Sequence, residues 1–313
     1  MKRLAALAVS LAVLAFIWWR VDLAAIAAAA RAADPGWLIA GLALVVPLTL
    51  ITAWRFRLLA RGAIGGGEAV RLILSASTLN LVLPSKLGDI AKAWALGRRH
   101  DVGGERALSI VVFEKLLDLA SLLFWAVPAL LWVGGRQPLY RLAALAVAGL
   151  LALLVLLLAP GGIGVRALGL IARFAPGAIG ARAASFGEEW GGAVRWFWAQ
   201  RRSAGIVAVS LGLWLLHLVQ FWLFARALGP AIPLLDNVAF ATLAILAGLV
   251  PLTMAGIGTR DAAIVFFYGP FLGAGAAAVL GVLATCRYLI PALCGLPFLS
   301  DYWRRARSVE AGG

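Results

Sequence analysis

Nine ionisable residues sit inside or beside strongly apolar stretches of this chain: Lys86, Asp89 and Lys92; Glu114, Lys115 and Asp118; Arg260 and Asp261; and Arg287. At membrane depth each such group costs about 2.5–3.5 kcal/mol on insertion scales, so each needs a partner or a ligand. Their signs nearly cancel, five basic against four acidic. Glu114 and Asp118 are four apart and share a helix face, whereas Lys115 points about 100° away and has Asp118 as its i+3 neighbour. Glu114, Lys115 and Asp118 therefore either lock helices together as internal ion pairs or hold a charged headgroup.

Lys86 and Arg260 stand beside glycine and proline at expected helix breaks. Backbone N–H groups exposed there add to a positive field that suits a phosphate. Pro84 and Pro251 each remove a helical hydrogen bond and free a carbonyl, which membrane backbone tolerates only in a protein-lined or wet cavity. Gly88, Gly256 and Gly258 permit a tight turn and close approach of a headgroup. Asn80 either coordinates that headgroup or caps exposed backbone. His217 is expected to hydrogen-bond within the bundle, with Gln220 three residues on as its partner.

Other chemistries find little support. Cys286 and Cys294 are eight apart in one helical run, roughly 12 Å, too far to bridge. With two cysteines, two histidines (His100 and His217) and no HExxH, a zinc site is not expected. The stretch 162–167 loosely fits a dinucleotide fingerprint, but it follows an apolar span instead of a strand. No GxxxxGK[ST] is present. No catalytic residue, metal or cofactor is assigned, and the chain is not expected to be an enzyme.

The elements that must position these groups follow from composition. Of 313 residues, 63% are hydrophobic and only 13% charged, with a mean hydropathy of +0.97. A soluble domain carries about 25% charged residues, so this is an integral membrane protein. The net charge of +14 would suggest nucleic acid in a soluble protein. Here the basic residues cluster between apolar runs, which points to topology and anionic lipid instead.

Runs long enough to cross hydrocarbon occur at about 4–19, 36–54, 107–133, 142–159, 204–225 and 275–299. Two apolar stretches of another kind, 79–89 and 249–261, are interrupted by Pro, Gly and charge. If both re-enter and leave on the side they came from, seventeen basic residues, Arg55 among them, fall in the cytoplasm and five outside. If the first crossed, Arg98, Arg99, Arg106 and the large basic loop would move outside, against the positive-inside rule.

The expected fold class is therefore an all-α integral membrane protein. It has about six transmembrane helices and two opposed re-entrant, broken hairpins that form an inverted-topology repeat. The chain reads as one membrane domain, 1–313. Its first half is about 36–133 with a hairpin at 68–97, its second about 204–300 with a hairpin at 236–268, and a cytoplasmic interfacial segment covers about 160–203. Both termini are placed in the cytoplasm of a bacterial inner membrane. The first run has a basic start and Ala-rich sequence after it, so cleavage as a signal peptide is the alternative to a retained span. The Ala-rich run 23–33 is expected as an amphipathic helix at the outer interface. Trp18, Trp19, Trp37, Trp54 and Trp303 are expected as interfacial anchors.

The string Asn80-Leu-Val-Leu-Pro84-Ser-Lys86-Leu-Gly88-Asp89, then Ala91-Lys92-Ala93 and Val112-Phe-Glu114-Lys115-Leu-Leu-Asp118, resembles the lysylphosphatidylglycerol synthase transmembrane-region family. Pro251 through Gly256-Ile-Gly258-Thr-Arg260-Asp261 is similar to that family's late Pro…Gly-x-Gly-x-Arg-Glu motif, with Asp261 where Glu is usual. The resemblance covers about residues 4–300. It implies translocation of an aminoacylated phospholipid or another large-headed lipid between leaflets. The chain ends 14 residues after its last expected span, so the family's soluble aminoacyl-transferase activity is expected to be absent.

On this reading Lys86 and Arg260 bind the phosphate, while Asp89, Asp261, Glu114 and Asp118 hold those cations or take an amine. The partners are membrane lipids: an anionic or aminoacylated phospholipid, or a polyprenyl-phosphate-linked lipid. A homo-oligomer is compatible with the Ala- and Gly-rich composition. Two alternatives stand beside translocation. One is a membrane-embedded enzyme on a lipid headgroup, with Glu114 or Asp89 as base. The other is a small-solute transporter, or a non-catalytic membrane partner of a lipid or glycan biosynthetic enzyme.

Overall fold

The computed structural model describes residues 23–83, 87–99, 102–135, 138–160, 162–174, 177–249 and 258–310. The first expected span, 4–19, lies outside these residues. So do Trp18, Trp19, Pro84, Lys86, His100, Pro251 and Gly256, together with the Trp303 side chain.

Every described element is an α-helix, and no strand occurs among the described residues. They are α1 (Leu23–Ala32), α2 (Pro35–Ala43), α3 (Val45–Leu59), α4 (Gly66–Val82), α5 (Leu87–Arg99), α6 (Gly104–Gly134), α7 (Pro138–Leu158), α8 (Ile163–Phe174), α9 (Gly177–Ala199), α10 (Ser203–Leu228), α11 (Leu234–Leu249), α12 (Thr259–Leu272) and α13 (Ala274–Glu310). Local signals set several boundaries. Asp34 caps α2 by accepting from the Gly36 and Trp37 N–H groups at 2.7 and 3.3 Å, with Pro35 at the first helical position.

Among the described residues, five helical stretches are long and apolar enough to cross a membrane: Pro35–Leu59, Gly104–Gly134, Pro138–Leu158, Ser203–Leu228 and Ala274–Leu299. They coincide with the last five expected spans to within a few residues. The first of them is α2 and α3 joined at Leu44. Leu142, Leu145, Val155, Phe266 and Leu293 are exposed on the outside of this bundle. Such an apolar exterior suits hydrocarbon and would be penalised in water. The chain is an all-helical membrane protein.

The two interrupted stretches form pairs of shorter helices, α4 with α5 and α11 with α12, each pair in mutual contact. The neighbour pattern repeats between the halves. In the first half α3 contacts α4, α4 contacts α5 and α5 contacts α6; in the second α10 contacts α11, α11 contacts α12 and α12 contacts α13. The halves also cross over, α4 lying on α13 and α11 on α6. The α4–α13 contact is very close: a Cβ at Gly295 would come 2.1 Å from the Leu74 carbonyl oxygen, and Thr78 Oγ1 donates to the Ala292 carbonyl at 2.6 Å.

The expected interfacial segment is a helix pair. α8 and α9 pack on each other; α8 also meets α7, and α9 packs on α6, where Phe113 meets Trp190 and Phe197 at centroid distances of 5.8 and 4.8 Å.

Candidate functional site

Three helices bring six charges together. Arg55 comes from α3, Asp89 and Lys92 from α5, and Glu114, Lys115 and Asp118 from α6. Lys92 Nζ donates to Glu114 Oε2 at 2.5 Å and lies 3.7 Å from Asp89. Arg55 pairs with Asp118 at 2.5 Å and lies 3.8 Å from Glu114. Lys115 bridges Asp89 at 3.3 Å and Asp118 at 3.6 Å. Three cations thus face three carboxylates, which removes most of the penalty of burying any one of them.

The network has a closed end and an open edge. The side chains of Arg55, Lys92 and Glu114 are at most 1% exposed, and Lys92 also lies over the Phe56 ring at 4.3 Å. Asp89 and Asp118 are slightly exposed, and the Lys115 side chain is 42% exposed. Asn80 Nδ2 on α4 donates to Asp89 at 3.4 Å. Gly88 is needed for this approach, because a Cβ there would lie 2.4 Å from the Ala76 carbonyl oxygen.

A second cluster joins α12 to α13. Arg260 donates to Asp261 Oδ1 at 2.9 Å and Thr285 Oγ1 at 2.6 Å, and reaches the Ala284 and Gly281 carbonyls at 3.4 and 3.5 Å. Asp261 Oδ2 also accepts the Gly258 N–H at 2.9 Å, closing the start of α12. Gly258 sits at φ 106°, a conformation that other residues rarely adopt. Arg287, on α13, donates to the Tyr288 hydroxyl and lies 4.7 Å from the Phe221 ring centroid.

One face of α10 connects the clusters. Ser210, Trp214, His217 and Phe221 recur at spacings of four, three and four and share one stripe. Ser210 Oγ accepts from Arg55 Nη1 at 3.1 Å, and Trp214 Nε1 donates to Asp118 Oδ1 at 3.2 Å. The His217 ring lies 5.3 Å from that of Trp214, and Phe221 supports Arg287. The stripe covers roughly 16 Å along the helix.

Several expectations change. Arg55 is not a cytoplasmic loop residue: α3 runs on to Leu59, five residues beyond the expected span end at 54, so the guanidinium lies in the bundle where two carboxylates hold it. Its flanking Phe56, Leu58 and Leu59 were the available signal. Gln220 is not the partner of His217; it donates to the Gly41 carbonyl at 2.8 Å, and His217 Nδ1 is buried without a hydrogen-bond partner. The α10 stripe has no counterpart in the sequence analysis, because Ser210, His217 and Gln220 are too scattered along an otherwise apolar helix to mark a face, and its orientation is set by packing.

A model of the lysylphosphatidylglycerol synthase transmembrane region matches residues 3–295, a span that includes both clusters and the α10 stripe. A UPF0104 membrane protein of Methanocaldococcus jannaschii is 22% identical over 270 residues, 81% of this chain and 80% of that protein. A UPF0104 membrane protein of Methanothermobacter thermautotrophicus is 25% identical over 260 residues, 77% of each chain.

Proposed function

The chain belongs to the lysylphosphatidylglycerol synthase transmembrane-region family, and on that premise we propose that it moves a lipid with a large polar or charged headgroup between membrane leaflets. The charged seam is the headgroup's path, while the acyl chains stay in lipid. The observation that carries this reading is the open edge of the six-charge network. A purely structural lock has no need of a lysine whose side chain stays 42% exposed while it bridges two partly exposed carboxylates.

The chemistry of passage is exchange of ion partners. A headgroup phosphate replaces Asp89 and Asp118 at Lys115, and the released carboxylates take an amine if the headgroup carries one. Asp118 keeps Arg55 and Asp89 keeps Lys92 when Lys115 turns to the phosphate, so no charge is left bare in a low-dielectric site. No bond is broken, so the protein acts as a carrier and not an enzyme. Its substrates are anionic or aminoacylated phospholipids, or a polyprenyl-phosphate-linked lipid. Movement runs down a gradient or is coupled to protons or the membrane potential.

The repeated neighbour pattern supports an inverted repeat in which α4/α5 and α11/α12 re-enter from opposite faces. The basic residues between spans support both termini on the cytoplasmic side, and the location proposed is a cell membrane, the inner membrane of a bacterium.

Leaflet exchange in proteoliposomes tests the proposal, with labelled aminoacylated phosphatidylglycerol, plain phosphatidylglycerol, a zwitterionic phospholipid and a polyprenyl phosphate. Headgroup-selective exchange above that of protein-free vesicles is expected. Absence of exchange for every lipid, with folded protein, overturns it, and a chemically altered lipid recovered from the vesicles would mark an enzyme.

A further inference from the structure

Among the described residues, Arg287 differs from the other buried cations of the seam. Arg55 and Lys92 meet Glu114 and Asp118, and Arg260 directs its donors to Asp261, Thr285 and two carbonyls. Arg287 is 5% exposed, and its recorded hydrogen bond is the one from Nη2 to the Tyr288 hydroxyl. Its Nε and Nη1 donors are buried without a hydrogen-bond partner. The rings of Phe221 and Tyr288 have their centroids 4.7 and 4.6 Å from the guanidinium carbon.

A guanidinium keeps its charge even when buried, so it cannot relieve this situation by losing a proton. Leaving a buried cation unpaired is strongly unfavourable, and protein chains retain such a group where a ligand supplies the missing anion. Its free N–H groups are those that bind oxyanions best. His217, on the α10 stripe, lies within the electrostatic reach of Arg287 and also has a buried ring nitrogen, Nδ1, with no partner.

We propose that Arg287 is an anion subsite that takes the phosphate group of the carried lipid, at the opposite end of the α10 stripe from Lys115. This rests on the translocation reading for the source of the phosphate; the site itself is defined by its unfilled donors. The carried headgroup then meets one cation with exchangeable protein partners, Lys115, and one with no carboxylate partner among the described residues, Arg287.

The test uses the full chain in detergent, with binding of phosphatidylglycerol, diacylglycerol and inorganic phosphate read by native mass spectrometry and by thermal shift. Arg287→Gln is expected to weaken phosphatidylglycerol binding about tenfold or more and to leave diacylglycerol binding unchanged. It should also abolish the lipid-induced rise in melting temperature. Arg287→Lys keeps the charge, loses the planar fork, and falls between the two; it decides the matter if the Gln variant does not fold. Displacement of phosphatidylglycerol by millimolar inorganic phosphate would identify free phosphate as an occupant of the same subsite.

Unchanged phosphatidylglycerol affinity in both variants overturns the subsite. So does a loss of melting temperature in lipid-free Arg287→Gln that Arg287→Lys restores without any change in lipid binding. Leaflet exchange in the same preparations separates the two proposals. Wild-type binding that depends on Arg287, without exchange, upholds the subsite and overturns translocation. Selective exchange that is unaltered in Arg287→Gln, with unaltered binding, upholds translocation and overturns the subsite.

Discussion

Glu114 and Lys115 are sequence neighbours with opposite situations. Glu114 is fully buried between Lys92 and Arg55, whereas Lys115 is 42% exposed between Asp89 and Asp118. Removing one member of a buried pair strands the other, so Glu114→Gln should lower stability by about 3–5 kcal/mol, read by denaturant or thermal unfolding in detergent. Replacing Lys92 and Glu114 together by Met should recover most of that loss; a double variant as unstable as Glu114→Gln would show that more than the pair is at stake. Lys115→Ala should cost under about 1 kcal/mol, because Asp118 keeps Arg55 and Asp89 keeps Lys92, while slowing lipid exchange. The sequence separated these residues by face, because the angle between adjacent helical positions is fixed. It did not include Arg55, because a basic residue near a span end reads equally as a loop anchor until the helix is seen to continue past it. Nor did it distinguish Arg260 from Arg287, because which arginine finds internal acceptors depends on how α12 and α13 pack.

At the scale of elements, the tight α4–α13 contact ties the first helix pair to the last span. Gly295→Ala places a methyl group where the Leu74 carbonyl stands and should destabilise by about 1–3 kcal/mol, with the unfolding midpoint as the measurement. No change would mean that the helices separate freely. On α10, Trp214→Phe keeps an aromatic ring but loses one hydrogen bond to Asp118, which Arg55 and Lys115 still hold, so the unfolding midpoint should report a loss of only about 0.5–1.5 kcal/mol. Span lengths were legible because about 20 apolar residues are needed to cross hydrocarbon, and the breaks were legible because proline and glycine interrupt helices. The rotation of α10 was not, because a few polar side chains scattered along an otherwise apolar helix leave no stripe in its hydropathy. The turn of Gln220 toward the Gly41 carbonyl instead of His217 follows from that rotation.

For the whole molecule, the two-fold pattern of helix neighbours makes a prediction about sidedness. In a Cys286→Ser, Cys294→Ser background, single cysteines at Gly65 and Gly104 flank the first helix pair, and cysteines at Ala231 and Ala274 flank the second. If both pairs re-enter, an impermeant maleimide should label Ala231→Cys and Ala274→Cys on intact cells, and Gly65→Cys and Gly104→Cys only after permeabilisation. A split within either pair would mean that this pair crosses. The all-helical membrane class was plain from composition, since 13% charged residues cannot coat a soluble surface. The joining of two charge clusters through one face of α10 arises only when the halves pack. The central claim, that this seam carries a lipid headgroup, is tested most directly by initial rates of phosphatidylglycerol leaflet exchange in proteoliposomes, with wild-type protein compared with Lys115→Ala at equal amounts of folded protein. The account predicts selective exchange by the wild type and a fall of about tenfold or more in the variant at nearly unchanged melting temperature. Exchange that is indifferent to headgroup, or equally fast in Lys115→Ala, would contradict it.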